Sequence, residues 1–154
     1  MQDYGTSWRV LRLISIVDQL YIKAKRIRNI QEVGQQKIKD EVSGEWKAIV
    51  NYGIIALIQL ELGNGDDWEL PHTDAETLYD KHQQETFELM LAKNHDYGEA
   101  WRSMSQESFA DLIITKLVRI KQIIANDGKT LASEGIDSNI RDIINYAVFA
   151  QILA

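Results

Sequence analysis

Cysteine is absent from the 154-residue sequence, and proline occurs once, at Pro71. Without cysteine the chain can form no disulfide framework, thiol metal site or thiol nucleophile, and this composition fits a reducing cytoplasm. The longest apolar run, Ile54 to Ile58, is far shorter than the roughly 20 residues that a membrane-spanning helix needs. No basic-then-apolar leader begins the sequence. We therefore expect a cytoplasmic protein without a membrane partner.

The sequence also has no excess of basic residues. Acidic residues outnumber basic ones by 23 to 17, which gives a formal net charge of −6. Neutralising a nucleic-acid backbone requires clustered Lys and Arg, so nucleic acid is not an expected partner. The acidic balance suits a carboxylate-rich site that works through a cation, and it also suits an ordinary solvated surface, which is the simpler explanation.

The sequence contains a tandem duplication. The words Asp-Tyr-Gly, two residues, then Trp-Arg begin at Asp3 and again at Asp96, an offset of 93 residues. Between residues 3–30 and 96–123 there are 11 identities in 28 positions. At an offset of 94 the pattern Ile-x-Asn-Tyr recurs, at Ile49 and at Ile143. A repeat of this kind indicates two copies of one structural unit.

Apolar residues recur at helical spacing throughout, and strand signals are poor, so we predict an all-α helical bundle. Capping-box patterns predict helix N-caps at Ser15, Thr73 and Ser108, with Asp18 and Asp111 as the acidic partners in the first and third. The predicted helices cover residues 15–33, 45–62, 74–93, 108–125 and about 137 to the C-terminus.

The two copies are unequal. We predict a first repeat at 1–62, a connector at 63–72 and a second repeat at 73–154, packed as one helical body. A three-helix unit is complete only in the second copy, because the first lacks the helix before its Asp-Tyr-Gly. Either the true start lies upstream of Met1 or the copy is natively incomplete. In both cases we expect a neighbouring subunit to cover the gap, which predicts a homo-oligomer.

Paired carboxylates are candidates for metal binding. Glu85 and Glu88 share one face of a helix, and Glu134 precedes the helix that carries Asp142. Acidic side chains from two helices form the oxygen-rich environment that Mg²⁺ prefers. Glu-x-x-Glu is also common on solvated helix faces, and that interpretation is the commoner one.

Basic and aromatic residues are candidates for contact with a substrate. Lys116 and Arg119 lie on a largely apolar helix, where cations need partners, either carboxylates or a bound phosphate. The same spacing in the first copy means that shared architecture explains this pair as well as shared binding does. Tyr97 or Trp101 could stack on a base, but packing between helices is the favoured explanation.

Three parts of the second copy resemble a known family. Lys93-Asn94-His95-Asp96-Tyr97-Gly98, then Lys116-x-x-Arg119, then Glu134 followed by Asp142-x-x-Asn145-Tyr146, resemble the nucleotide modification associated domain 1 family. That family is similar to the all-α nucleotide pyrophosphatases of the MazG and dimeric-dUTPase type, which bind Mg²⁺ through carboxylates.

The resemblance implies at most one complete site for each chain, with roles for specific residues. Glu134 and Asp142 would bind Mg²⁺, with Glu85 and Glu88 added by analogy. A nucleotide or another phosphate-bearing small molecule would contact the remaining candidates, Lys116, Arg119, Tyr97, Trp101, Asn145 and Tyr146. Asn145 stands where the pyrophosphatase pattern has Asp, and Ala48 replaces Asp142 in the first copy.

Two hypotheses follow. The first is a Mg²⁺-dependent nucleotide-binding protein that hydrolyses a nucleoside triphosphate to the monophosphate and pyrophosphate. The alternative is a non-catalytic helical module for ligand binding or assembly.

Overall fold

The computed structural model describes residues 6–34, 38–63, 70–126 and 135–154, and every regular element in these ranges is helical. The predicted all-α fold is thereby confirmed. In chain order the elements are a 3₁₀ turn at Ser7–Val10, α1 at Leu13–Val33, α2 at Ile38–Leu62, α3 at His72–Tyr97, a second 3₁₀ turn at Ala100–Ser103, α4 at Gln106–Ala125 and α5 at Ile136–Leu153. No helix of the described ranges has the length and apolarity to cross a membrane.

The helix ends are set by a few local signals. Helices α1 and α2 are each followed by a glycine in the left-handed region, Gly34 at φ 68° and Gly63 at φ 74°. Each glycine N–H donates to the carbonyl four residues earlier, so a carbonyl of the last turn is satisfied. Helix α3 begins directly after Pro71 and continues to Tyr97, four residues beyond its predicted end.

All three predicted N-caps were wrong. Helix α1 begins at Leu13, before Ser15, and α3 begins at His72, before Thr73, and neither has a side-chain cap. The cap of α4 is Ser105, whose Oγ accepts a hydrogen bond from the backbone N–H of Ser108 at 3.2 Å. Helix α2 also begins seven residues before the predicted position 45.

The acids assigned to those caps join the two repeats instead. Asp18 of α1 pairs with Lys121 of α4 at 3.1 Å, and Asp111 of α4 pairs with Arg28 of α1 at 3.8 Å. Adding 93 to the numbers of Asp18 and Arg28 gives Asp111 and Lys121, so the two ion pairs join equivalent positions of the two repeats. Helices α1 and α4 are therefore antiparallel neighbours about a pseudo-twofold axis that relates the repeats.

The core lies inside a ring of four helices, in which α1 contacts α2 and α4, and α5 contacts α2 and α4. The same positions of α1 and α4 are fully buried in both repeats: Ile16, Val17, Leu20, Ala24 and Ile27, with their counterparts Phe109, Ala110, Ile113, Leu117 and Ile120. The duplicated sequence thus specifies a duplicated core, because close-packed interiors constrain side-chain size and shape at each position.

Helix α3 lies outside this ring, on α2 and α5. Glu61 of α2 accepts a hydrogen bond from Lys81 and lies 3.1 Å from Nε2 of His82. The Lys81 hydrogen bond lowers the pKa of Glu61, and the same bond raises the pKa of Lys81. On the other side, Arg141 of α5 lies 3.3 Å from a carboxylate oxygen of Glu85.

Gln59 of α2 fixes the first 3₁₀ turn. Its amide nitrogen donates to the carbonyls of Arg9 at 3.1 Å and Leu11 at 2.7 Å, and its amide oxygen accepts from the Arg9 guanidinium. This side chain is 3% exposed, so the hydrogen bonds form largely out of water. The turn and its Trp8 are therefore held firmly against α2.

Candidate functional site

Asp142 of α5 is held between two lysines that come from two other helices. Lys93 of α3 places Nζ 2.6 Å from one carboxylate oxygen, and Lys116 of α4 places Nζ 3.3 Å from the other. The Asp142 side chain is 16% exposed, whereas Lys93 is 47% exposed and Lys116 is 31% exposed. One negative and two positive formal charges leave an excess of one positive charge. The cluster therefore attracts an anion more strongly than a cation.

A cavity of about 160 Å³ adjoins this cluster, between the C-terminal half of α3, the second 3₁₀ turn and α5. Its polar lining consists of Lys93, Asn94, Tyr97, Asp142, Asn145 and Tyr146, and Met90, Trp101 and Phe149 supply apolar surface. This volume equals that of about five water molecules in the liquid. It admits a phosphate group or a sugar, but it is smaller than the roughly 300–1,000 Å³ typical of pockets for whole drug-sized ligands.

Trp101 forms the packed floor of the cavity. Its ring stacks on Phe149 with centroids 4.2 Å apart and planes 5° apart, and the Arg102 guanidinium lies 4.5 Å from the ring centroid. Two groups cannot lie over one ring face at these distances, so both faces are covered. Nε1 of Trp101 donates to Oδ1 of Asn94 at 3.2 Å. Stacking of a base on Trp101 would require Phe149 or Arg102 to move.

The other predicted ligand contacts differ in exposure. Tyr97 is 81% exposed at the end of α3, so its ring is free to meet a flat ligand. Asn145 is buried and donates to the Thr86 carbonyl at 3.4 Å, and Tyr146 is half-buried. Arg119 is half-buried on α4 and does not line the cavity.

The structure describes three of the four predicted metal ligands, Glu85, Glu88 and Asp142, and places them in different surroundings. Glu85 is paired with Arg141, and the exposed Glu88 accepts a hydrogen bond from Gln84 at 3.2 Å. Neither glutamate lines the cavity, and Asp142 is already engaged by lysines. Among the described ranges, no group of three or more His, Asp and Glu side chains could hold a metal ion. Glu134 lies outside the described residues, so its role in Mg²⁺ binding stays a prediction.

The first repeat has a related ion pair at a shifted position. Glu45 of α2 lies 3.2 Å from Lys23 and 3.6 Å from Arg26, the counterparts of Lys116 and Arg119. Glu45 stands three residues before Ala48, which is the counterpart of Asp142. In each repeat, therefore, a carboxylate of the second helix pairs with a basic residue of the first. This geometry favours shared architecture as the explanation of the repeated Lys-x-x-Arg spacing.

Lys93 and Asn94 were quoted in the motif but were not assigned to the site. Their counterparts by the 93-residue offset would stand before Met1 and at Met1, so the repeat could not identify them. Because α3 continues to Tyr97, Met90, Lys93, Asn94 and Tyr97 share one helix face. A predicted helix that continued to Tyr97 would have placed these four residues on one face.

A protein-family model described as nucleotide modification associated domain 1 matches the chain twice, at residues 1–60 and 93–153. The two matches correspond to the two repeats, and most of α3 lies between them. No curated protein and no solved structure matches the chain.

Proposed function

Since the chain belongs to the nucleotide modification associated domain 1 family, we propose that its second repeat binds the phosphate group of a nucleotide or of a similar phosphorylated small molecule. The ligand enters the cavity beside Asp142, between α3, the second 3₁₀ turn and α5.

The convergence of two lysines on one carboxylate supports this proposal. Lys93 and Lys116 compete for Asp142, so neither ammonium group is fully neutralised. A phosphate oxygen at the cavity mouth gains a charge-assisted hydrogen bond from Lys93, of a kind worth about 1.5–3 kcal/mol. Asp142 fixes the lysines in place before the ligand arrives, which lowers the entropy cost of binding.

The size of the cavity determines the proposed orientation. A volume of about 160 Å³ accommodates the phosphate or the sugar phosphate, so the base must lie outside. The exposed Tyr97 ring stands at the cavity lining and offers a stacking surface. Stacking between a base and an aromatic side chain is worth about 1–3 kcal/mol and tolerates any base. We therefore propose stronger selection for the phosphate group than for the base.

Hydrolysis of the bound nucleotide is a more specific hypothesis than binding, and it rests on the resemblance to Mg²⁺-dependent pyrophosphatases. It needs Asp142 and Glu134 as ligands of the ion, and Asp142 would have to exchange one of its lysines for the metal. Binding and turnover are therefore tested separately, and the alternative of a non-catalytic module corresponds to binding without turnover.

Isothermal titration calorimetry tests the proposal with nucleoside mono-, di- and triphosphates and inorganic phosphate, with and without Mg²⁺. Lys93→Met or Lys116→Met makes the cluster electrically neutral, so each should weaken binding about tenfold or more, a change of about 1.4 kcal/mol. The matched control is Lys23→Met, which removes the counterpart of Lys116 in the first repeat and should leave affinity unchanged.

Each readout can contradict a different part of the proposal. If no phosphate compound binds, or if Lys23→Met weakens binding as much as Lys116→Met, the site has been placed wrongly. Pyrophosphate release measured in the same samples reports on hydrolysis alone.

A further inference from the structure

The outer face of α2 and α5 is covered on one half only. Helix α3 packs on the half formed by the end of α2 and the start of α5. The pseudo-twofold axis maps this half onto the start of α2 and the end of α5. No described helix of the chain covers that second half, which we call the repeat-1 recess and which is lined by Lys47, Val50, Val148, Gln151 and Ile152.

Matched residues show how different the two halves are. Ile58 lies on the covered half and is 0% exposed, whereas its counterpart Ile152 is 53% exposed. Ile54 is 1% exposed, whereas its counterpart Val148 is half-buried. The recess is an open depression of about 380 Å³, beside a cavity of about 710 Å³ that shares Lys47 with it. The half that α3 covers is therefore more deeply buried than the half that it leaves open.

The larger cavity is the counterpart of the candidate ligand cavity, and it contains a buried donor without a partner. Trp8 is 6% exposed, and its Nε1 has no hydrogen-bond acceptor among the described residues. In the second repeat the counterpart Trp101 donates to Asn94, which α3 supplies. A buried N–H without an acceptor costs about 1–3 kcal/mol. The first repeat therefore favours a helix with polar side chains at this place.

Helix α3 itself has the surface that fits the recess. Phe87 and Leu91 are 47% and 50% exposed on its outer side, one turn apart, with Glu88 beside them. The helix contains six carboxylates against two lysines, a formal charge of −4 with His neutral. Of the described residues that line the recess and its adjoining cavity, the charged ones are Lys47 and Lys23, and Lys23 is already paired with Glu45. The apolar side chains and Lys47 of the recess thus match the apolar and acidic side chains of α3.

We propose that two copies of this chain form a symmetric dimer in which the outer side of α3 of each copy packs into the repeat-1 recess of the other. The outer face of α2 and α5 has two levels. Helix α3 projects from one half, the raised half, and the recess forms the other, the lowered half. A twofold axis between two such faces brings each raised half into the opposite lowered half. The same patch then serves on both copies, as a twofold interface requires.

The interface reaches the area of a stable dimer when the whole outer side of α3 is covered. A helix of 26 residues is about 39 Å long, and its outer side is about 10 Å wide, so one α3 covers about 400 Å². Each copy contributes its α3 and its recess, which together give about 800 Å² per copy. Specific interfaces bury about this much per partner.

Sedimentation velocity of the full chain tests the dimer at micromolar concentration. Leu91→Asp on the raised half and Ile152→Asp in the recess should each weaken the dimer at least about tenfold. Both residues are half exposed in one chain, so the fold should survive, which circular dichroism checks. The matched control is Val118→Asp on α4, because Val118 is 42% exposed but lies away from this face.

A zero-length carboxyl–amine cross-linker applied to mixed isotope-labelled and unlabelled chains gives a second readout. We expect cross-links between α3 carboxylates such as Glu88 of one chain and Lys47 of the other. A monomeric wild-type protein overturns the proposal. So does a dimer that Leu91→Asp and Ile152→Asp leave intact, or one that Val118→Asp dissociates equally.

Discussion

Gly53 provides the sharpest test of the packing between the two repeats. It lies in the middle of α2, where that helix crosses α5. A Cβ atom at this position would lie 2.5 Å from Cγ1 of Ile144 and 3.0 Å from Cδ1 of the same side chain. Ile144 is 3% exposed and branched at Cβ, so it cannot easily rotate away.

Two opposing effects decide the outcome of Gly53→Ala. Replacing glycine by alanine inside a helix stabilises the fold by about 0.5–1 kcal/mol. Overpacking a tight core costs about 1–3 kcal/mol, because side chains and backbone must shift. The net expectation is a loss of about 1 kcal/mol, which lowers Tm by about 2–4 °C in a chain of this size.

Gly44 is the matched control, because it lies in the same helix and a Cβ there meets nothing within 4 Å. Gly44→Ala should raise Tm, so the two substitutions should change stability in opposite directions. Thermal and guanidinium unfolding give the free energies. Combining Gly53→Ala with Ile144→Ala removes the clash, so the double variant should be more stable than the sum of its single changes by about 1 kcal/mol. Additive effects, or a stabilising Gly53→Ala, would refute the close contact.

Two further substitutions test the charges of the cluster and the half-buried phenol of Tyr79. Asp142→Asn raises the formal charge of the cluster from +1 to +2, so the phosphate affinity measured by calorimetry should increase. A role for Asp142 as a metal ligand predicts instead that any Mg²⁺-dependent binding or turnover is lost. Burial raises the pKa of Tyr79, with a smaller contribution from the charge of Asp80, so its neutral phenol is favoured in the fold. This stabilisation is fully present below the pKa of about 10 that tyrosine has in the unfolded state, and it is lost as pH rises through the raised pKa of the folded state. In unfolding experiments at alkaline pH, Tyr79→Phe should therefore lose less stability than the wild type.

The helical fold could be predicted because apolar periodicity and the repeat reflect the core directly. The helix starts could not, and α1 shows why. Ser15 and Asp18 fit a capping box, but such a cap is worth only about 1 kcal/mol. Leu13 packs against the core and keeps the preceding turn helical. Full burial of a leucine side chain contributes about 1.5–3 kcal/mol, so even the partial burial of Leu13 matches the local signal.

The candidate site was predictable only in part. Lys116 was chosen from a motif present in both copies and Asp142 from the family resemblance, and the structure does bring them together. Their partner Lys93 was missed as a site residue, because residues 1–62 contain no counterpart of its helix for comparison. Glu85 was chosen from spacing along one helix, which says nothing about the Arg141 that approaches it from another. Contacts between helices depend on packing angles that the sequence does not display.

The two repeats are alike in the core and differ on the outer face. At the buried positions of α1 and α4 both copies have apolar residues, since each must fill the same ring. On the outer face the copies differ. Ala48 occupies the position equivalent to Asp142, and the buried Ile58 is equivalent to the exposed Ile152. Helix α3 lies at both differences, because it lines the candidate ligand cavity on one half and leaves the recess open on the other. If α3 of a second copy occupies that recess, one helix both forms the site of its own chain and holds the dimer together. Ligand contacts at Lys93 would then be coupled to dimerisation through the rigidity of α3, so phosphate binding and dimer stability should rise together.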